Sequence, residues 1–179
     1  QKGLQHKSKT RTTVSTSAGA LSSGEKSLLK ADIIKINSVT DANNVDITDQ
    51  FTLDNGQRDN FYDIGKVILK SGFTVTGNIV VNFDYYEHGS GDYFSVDSYP
   101  AADYDTIGSF ASIQGVLSLR DCIDFRPRKE NAADGGDNDF TGTGASNPQP
   151  PRPGSLIKAE VTHFMPRIDK LYITRRGEF

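Results

Sequence analysis

The sequence predicts a mainly β protein, an antiparallel β-sandwich-like domain with an extended N-terminal arm and a long loop rich in Gly, Pro and Asp. Short runs in which apolar and polar residues alternate predict strands, because successive side chains of a strand point to opposite faces. Clusters of Asp, Asn, Ser and Gly separate these runs and predict turns. No run keeps the apolar repeat of about 3.6 residues that a long helix requires.

The first 27 residues predict the arm. Residues 1–27 are rich in Ser, Thr, Gly and Lys and offer little apolar area to offset the entropy of ordering the backbone. We hypothesise that residues 10–18 add a strand to a sheet edge of a neighbouring subunit, where Lys7, Lys9 and Arg11 meet an acidic surface. The alternative is an arm that packs back on its own domain.

Residues 28–130 carry the strand-like runs of the predicted sandwich-like domain. The runs Leu28–Val39 and Val45–Leu53 alternate, and Ile64–Gly72 ends in a Ser-Gly turn. The clearest strand is Phe73–Tyr86, in which four apolar residues share one face. These residues are Ile79, Val81, Phe83 and Tyr85.

A polar block interrupts the strands at "LDNGQRDNFYD". It opens with Asp-Asn-Gly, a strong turn signal. The guanidinium of Arg58 is a planar fork of donors, and Asp54, Asp59 and Asp63 are nearby acceptors. We interpret the block as a structural corner pinned by charge-assisted hydrogen bonds.

A second charged motif is "RDCIDFRPR". It places Arg120, Asp124, Arg126 and Arg128 around two apolar residues. Balanced acids and arginines indicate ion pairs within the fold or across a subunit boundary, and we take these four residues as a candidate subunit contact. A phosphate-binding arginine cluster is the sharper alternative.

Residues 131–179 divide into a predicted loop and a segment with a strand pattern. Residues 131–154 are of low complexity and predict a loop or linker. Whether Asp134–Asp139 binds a cation stays open. Residues 155–179 return to a strand pattern that completes the domain or starts a following module. The chain begins at Gln1 and ends on a strand-like run, so we expect a fragment of a longer polypeptide.

Composition excludes several classes of function. The chain has 179 residues and a net charge of −3, which argues against a nucleic-acid partner. No window approaches the roughly 18 apolar residues of a membrane helix, so we expect no membrane insertion. Cys122 is the one cysteine, which rules out an intrachain disulfide and a multi-cysteine zinc site.

The familiar catalytic and cofactor patterns also fail. "HGSG" has His88 where a nucleophile elbow needs Gly, and a calcium loop counted back from Gly56 would begin at Phe51 instead of an acid. No Gly-rich phosphate loop occurs. Asp59 and Asp63 could pair for glycoside cleavage only in a suitable geometry. We predict no enzymatic activity and no cofactor.

Four motifs together resemble a segment of the large virion structural proteins of contractile-tailed, cyanophage-like bacteriophages, which are tail-fibre-like or baseplate-associated. The resemblance covers about residues 46–179. The motifs are "FTLDNGQRDNFYDIGKVILKSG", "VNFDYYEHGSGDYFSVDSYP", "LRDCIDFRPR" and "FMPRIDKLYITRRGEF". The resemblance implies a structural protein in the virion tail whose partners are other virion proteins and copies of itself. It implies no catalytic residue.

The competing hypothesis is a tail module that binds or depolymerises polysaccharide. Aromatic faces pack on sugars while a tyrosine hydroxyl keeps a polar contact. Tyr85, Tyr86 and Tyr93 are the candidate residues for stacking on a host surface glycan, with Tyr99 and Tyr104 nearby.

Overall fold

The computed structural model describes residues 2–16, 21 and 23–130, together with the single positions 152, 154 and 156. This part of the chain is mainly β, with 47% in strands and 12% in helix, and its sheets are antiparallel. The mainly β prediction is therefore confirmed. The predicted cation loop and the predicted strands of residues 155–179 lie outside the described residues, apart from the isolated position 156.

The described residues contain eight strands in three antiparallel sheets. The strands are β1 (Lys7–Ser15), β2 (Glu25–Ala31), β3 (Ile33–Thr40), β4 (Phe51–Asp54), β5 (Ile64–Leu69), β6 (Val80–His88), β7 (Ser109–Ser112) and β8 (Gly115–Ser118). The sheets have the orders β1-β6-β3, β2-β5-β4 and β7-β8. Short 3₁₀ helices lie at Thr48–Gln50, Val96–Ser98, Ala101–Thr106 and Leu119–Asp121.

Strand β1 differs from the predicted arm. It pairs along its whole length with β6 of the same chain, from Lys7 opposite His88 to Ser15 opposite Val80. The hypothesis that a neighbouring subunit holds this segment is wrong for β1, and the alternative of packing on its own domain holds. The physical reason is that β6 offers a free edge within the chain, so the ladder needs no outside strand.

The single alternating run predicted at Leu28–Val39 divides into two strands at Asp32. This residue has a φ of 56°, in the left-handed region, and is the only residue between β2 and β3. Strand β2 pairs with β5 in one sheet and β3 pairs with β6 in another. The left-handed turn thus carries the chain from sheet to sheet and fixes the position of the Asp32 carboxylate.

One hydrophobic cluster takes residues from both three-stranded sheets. Leu28 and Val67 come from the second sheet, and Val39, Val81 and Phe83 come from the first, all with 0% exposure. Burying a side chain of this size stabilises a fold by about 1.5–3 kcal/mol. This cluster is the core that the alternation of β6 predicts, although β6 begins at Val80 and not at Phe73.

The C-terminal half of the opposite face of β6, from Asp84 to His88, is buried too, beneath the loops that follow it. Tyr86 belongs to a second cluster with Tyr99, Phe110 and Leu119. A third, small cluster of Ala31, Tyr62 and Phe94 lies alongside as a separate group. Because this half of the face is covered, a polar side chain on it must find its partners inside the protein.

The corner at Gly56 yields a prediction about backbone packing. Gly56 has a φ of 81°, and a Cβ there would lie 2.1 Å from the carbonyl oxygen of Asp63. Gly72 has a φ of 90° with nothing within 4 Å, so Gly72→Ala isolates the conformational cost of about 1 kcal/mol. We expect Gly56→Ala to lower the free energy of unfolding by a further ~2 kcal/mol or more in urea titrations. Equal losses at the two positions would contradict this geometry.

Candidate functional site

The centre of the candidate site is a completely buried lysine. Lys7 is the first residue of β1, and its side chain is 0% exposed. Its Nζ atom donates to Asp32 Oδ2 at 2.6 Å, and to the hydroxyl oxygens of Tyr62 and Tyr99 at 3.1 Å each. An ammonium group has three donors, so Lys7 is fully satisfied by protein groups.

Asp32 accepts hydrogen bonds on both of its carboxylate oxygens. Oδ2 lies 2.8 Å from His88 Nε2, and Oδ1 accepts from Gln57 Nε2 at 2.8 Å. The β1–β6 register places His88 directly opposite Lys7, which explains why both reach the same oxygen. His88 donates from Nε2, and its Nδ1 atom has no hydrogen-bond partner among the described residues.

Aromatic rings enclose the Lys7 ammonium. The distances from Nζ to the ring centroids are 4.5 Å for Phe94, 4.6 Å for Tyr62, 4.8 Å for Tyr99 and 5.6 Å for Tyr86. Ring faces carry negative potential, so they offset part of the cost of burying the cation. The same rings exclude water from the Lys7–Asp32 pair.

Tyr62 connects this pair to a second buried ion pair. Its hydroxyl accepts from Lys7 and donates to Asp124 Oδ2. Arg126 binds both oxygens of Asp124, at 3.0 Å from Nε and 2.8 Å from one terminal nitrogen. The guanidinium of Arg126 lies between two rings, 4.2 Å from the Tyr62 centroid and 4.1 Å from the Phe110 centroid.

Burial governs the protonation of the cluster. It lowers the pKa of Lys7 and lowers the pKa of His88 to about 4, so His88 is neutral at neutral pH. Burial acts to raise the pKa of Asp32, but the charge of Lys7 and the bond from His88 outweigh it and lower that pKa. Two cations thus balance two carboxylates, as buried charges require.

The predicted corner brings three of its four residues together. Arg58 binds both oxygens of Asp54, at 2.8 and 2.9 Å, and lies 3.4 Å from Asp63. Asp59 points elsewhere and accepts from the backbone N–H of Ile113 at 3.2 Å. Asp59 and Asp63 therefore have different partners: Asp59 binds the turn of the β7–β8 hairpin, and Asp63 lies beside Arg58.

The candidate subunit contact is mostly internal. Asp124 and Arg126 are buried and bind each other, so they are not available to another subunit. Arg128 binds Glu130 at 3.3 Å. Arg120 is exposed beside Asp121. Asp124 and Arg126 form an ion pair within the fold, but the strand pattern could not show that Arg58, Tyr62 and Phe110, from earlier in the chain, cover these residues.

The candidate stacking tyrosines are mostly covered as well. Tyr85 is 9% exposed and Tyr86 is 6% exposed, so their ring faces are closed to a sugar. Tyr99 binds Lys7 and is also buried. Tyr93 is half-buried, with its ring centroid 5.7 Å from that of Phe125. The glycan hypothesis loses Tyr85 and Tyr86 because Tyr85 belongs to the core that both sheets share and Tyr86 belongs to the second cluster.

A groove of about 610 Å³ lies beside the second ion pair. Phe110, Leu117, Ile123 and Phe125 give it a mainly apolar lining, and Asp124 and Arg126 contribute to its wall. The residues that the structure describes contain no group of three or more His, Cys, Asp or Glu side chains that could hold a metal ion. Among the same residues, no helix is long and apolar enough to cross a membrane.

Comparison with known proteins identifies no relative of this chain. No protein-family model, no curated protein and no solved structure matches it. The function of the chain is therefore inferred from the geometry of the site and from the motif resemblance.

The corner and an exposed arginine form a matched pair of variants. Arg58 is one-third exposed and makes a bidentate bond, so we expect Arg58→Ala to lower the free energy of unfolding by about 1–2 kcal/mol. Arg120 is half exposed, and Arg120→Ala should change it by less than about 0.5 kcal/mol. Thermal and urea unfolding measure both. If the two variants melted alike, the corner would be ordinary solvated surface.

His88 makes stability depend on pH. Its folded pKa of about 4 lies below the value of about 6.5 for an unfolded histidine, so the unfolded chain takes up the proton first. The contribution is complete above about pH 6.5 and is lost as the pH falls towards 4, by up to about 3 kcal/mol. Urea titrations across this range measure it. His88→Gln keeps an N–H donor without titrating and should flatten the dependence, whereas an unchanged slope would assign it to other groups.

Proposed function

We propose that this protein is a non-enzymatic structural component of a phage virion, in the tail fibre or the baseplate. It acts through contacts with other virion proteins and with copies of itself. The observation that carries the proposal is an exposed apolar surface on the β7–β8 hairpin. The motif resemblance gives the class of particle, and the hairpin gives a surface through which the chain can assemble.

The hairpin places large apolar side chains in solvent. Ile113 at its turn is 92% exposed, and Val116 on β8 is 75% exposed. The same hairpin contributes Phe110 and Leu117 to the apolar groove, whose rim includes Ile123 at 44% exposure. Val116 and Leu117 are successive residues of β8, so the exposed Val116 lies on the face of the hairpin opposite the groove. Large apolar side chains exposed on one hairpin typically mark a protein interface.

The buried cluster favours a structural role over a catalytic one. Catalysis requires that a substrate reach the reactive groups. The side chains of Lys7 and His88 are 0% exposed and that of Asp32 is 4% exposed, behind a wall of aromatic rings. Such a cluster braces strands and does not open to a substrate.

We also propose that the two three-stranded sheets form a β-sandwich. One core takes residues from both three-stranded sheets, which supports two sheets packed face to face as a sandwich. The competing module that binds or depolymerises polysaccharide retains Tyr93 but not Tyr85 and Tyr86. It lacks a comparable supporting observation.

Three measurements test the proposal. Mass spectrometry of purified phage particles whose genome encodes this protein should detect its peptides, and immunogold labelling should place it on the tail. Purified full-length protein should release no reducing sugar from surface polysaccharides. Absence from the particles, or specific sugar release, would overturn the proposal.

The hairpin gives the mutational test. We expect the double variant Ile113→Asp, Val116→Asp to abolish self-association or incorporation into particles, because charges at the centre of an interface are costly to desolvate. The melting temperature should stay within about 2 °C, since both side chains are exposed. Sedimentation velocity and particle incorporation measure the effect. Val45→Asp is the control, because Val45 is 54% exposed at another site. Normal assembly of the double variant would show that the hairpin is not part of the interface.

A further inference from the structure

We propose that Lys7 and Asp32 join through an intramolecular amide bond, which makes this pair a self-formed covalent cross-link. The Nζ atom of Lys7 lies 2.6 Å from Asp32 Oδ2, and both side chains are enclosed by protein. The bond would tie the N-terminal strand β1 to the turn between β2 and β3. This modification does not depend on the role of the protein in a virion.

The fold holds the two groups in fixed positions. The ladder with β6 fixes Lys7, and the left-handed backbone of Asp32, the single residue between β2 and β3, fixes its carboxylate. Orienting two reactants in this way raises their effective concentration to about 10⁵–10⁸ M. Amide formation that is negligible between free side chains in water is thus brought within reach of a folded pair.

The enclosed site favours the uncharged forms that the reaction needs. Burial lowers the pKa of Lys7, which moves it towards the neutral amine. One proton can pass from Nζ to Oδ2 along the hydrogen bond between them. The Lys7 charge, the largest of the interactions that keep Asp32 ionised, disappears with that proton, and the hydrogen bond from His88 remains. The neutral amine and the neutral acid therefore form together.

The surrounding groups suit each step of the condensation. The Nζ lone pair attacks Cγ of Asp32, and the N–H of Gln57 stabilises the negative charge that develops on Oδ1. Once Nζ is bonded to Cγ, Oδ2 is attached to the same carbon. Tyr62, which accepts from Nζ and donates to Asp124, can then take the second amine proton, pass it to Asp124 and return it to Oδ2. The Cγ–Oδ2 bond then breaks, and Oδ2 leaves with both protons as water. One N–H remains on the new amide, and no oxidant or cofactor is consumed.

The product is better suited to the site than the ion pair. Two buried charges are replaced by a neutral amide, which removes the cost of keeping them out of water. The amide oxygen keeps the hydrogen bond from Gln57, and the amide N–H keeps a tyrosine hydroxyl as its acceptor. Exclusion of water by Phe94 and the tyrosines also protects the bond from hydrolysis.

Intact mass spectrometry of the purified full-length protein tests the cross-link. We expect a mass below that of the sequence by one water molecule, after denaturation and with no added reagent. Proteolysis should then yield one branched peptide in which Lys7 and Asp32 are joined, as tandem spectra identify it. Lys9 and Asp103 form an exposed ion pair at 3.2 Å, and their peptides should be released unlinked.

Two variants, compared with the wild-type protein by intact mass, distinguish the cross-link from the loss of water at other residues. Asp32→Ala should show its full sequence mass, and Lys9→Met should keep the loss of water. A wild-type protein at its full sequence mass would overturn the proposal. So would a loss of water that maps to another residue, or one that persists in Asp32→Ala. Since the wild-type measurement decides the question alone, poor folding of Asp32→Ala would not obscure the result.

Discussion

The buried contact between Lys7 and Asp32 is the interaction on which the described structure depends. It joins the start of β1 to the single residue that links the two three-stranded sheets. His88 and Gln57 bind the carboxylate, and Tyr62 and Tyr99 bind the ammonium. Each of these groups comes from a different part of the chain, so one contact positions several loops.

The contact also sets the register of the first sheet. A shift of β1 by one residue would turn Lys7 to the opposite face and leave Asp32 without its cation. Removing one partner of a buried pair typically costs about 3–5 kcal/mol, whereas the pair itself contributes little net stability. The lysine therefore serves to select one pairing of β1 with β6 over its neighbours.

The sequence predicts the parts of this fold that depend on local pattern. Alternation identifies β6 and its buried face, and Asp-Asn-Gly identifies the corner where Arg58 binds Asp54. Charge balance in "RDCIDFRPR" predicts that its acids and arginines pair, as Asp124 and Arg126 do. These features depend on residues that are close together in the chain, so they can be predicted from the sequence without knowledge of the fold.

The candidate site could not be found in this way. Lys7 belongs to a basic segment that is typical of solvated arms, and its burial depends on Asp32, Tyr62 and Tyr99, which lie far along the chain. Asp32 lies in a run that alternates as one strand, and nothing local marks its left-handed backbone. The tyrosines of β6 fail as a glycan platform for the same reason, because residues distant in the chain cover them: the shared core covers Tyr85, and Tyr99, Phe110 and Leu119 cover Tyr86.

The pairing of β1 with β6 has a consequence for the time course of synthesis. Strand β1 is synthesised before the other described strands, but its partner, Val80–His88, follows only after four of them. Contacts this distant form late, and exposed strands that wait for a partner are prone to aggregate. A strand rich in Lys, Arg, Ser and Thr stays hydrated during that wait. The polar composition of β1, which resembles that of a disordered arm, thus keeps this part of the nascent chain soluble until β6 is made.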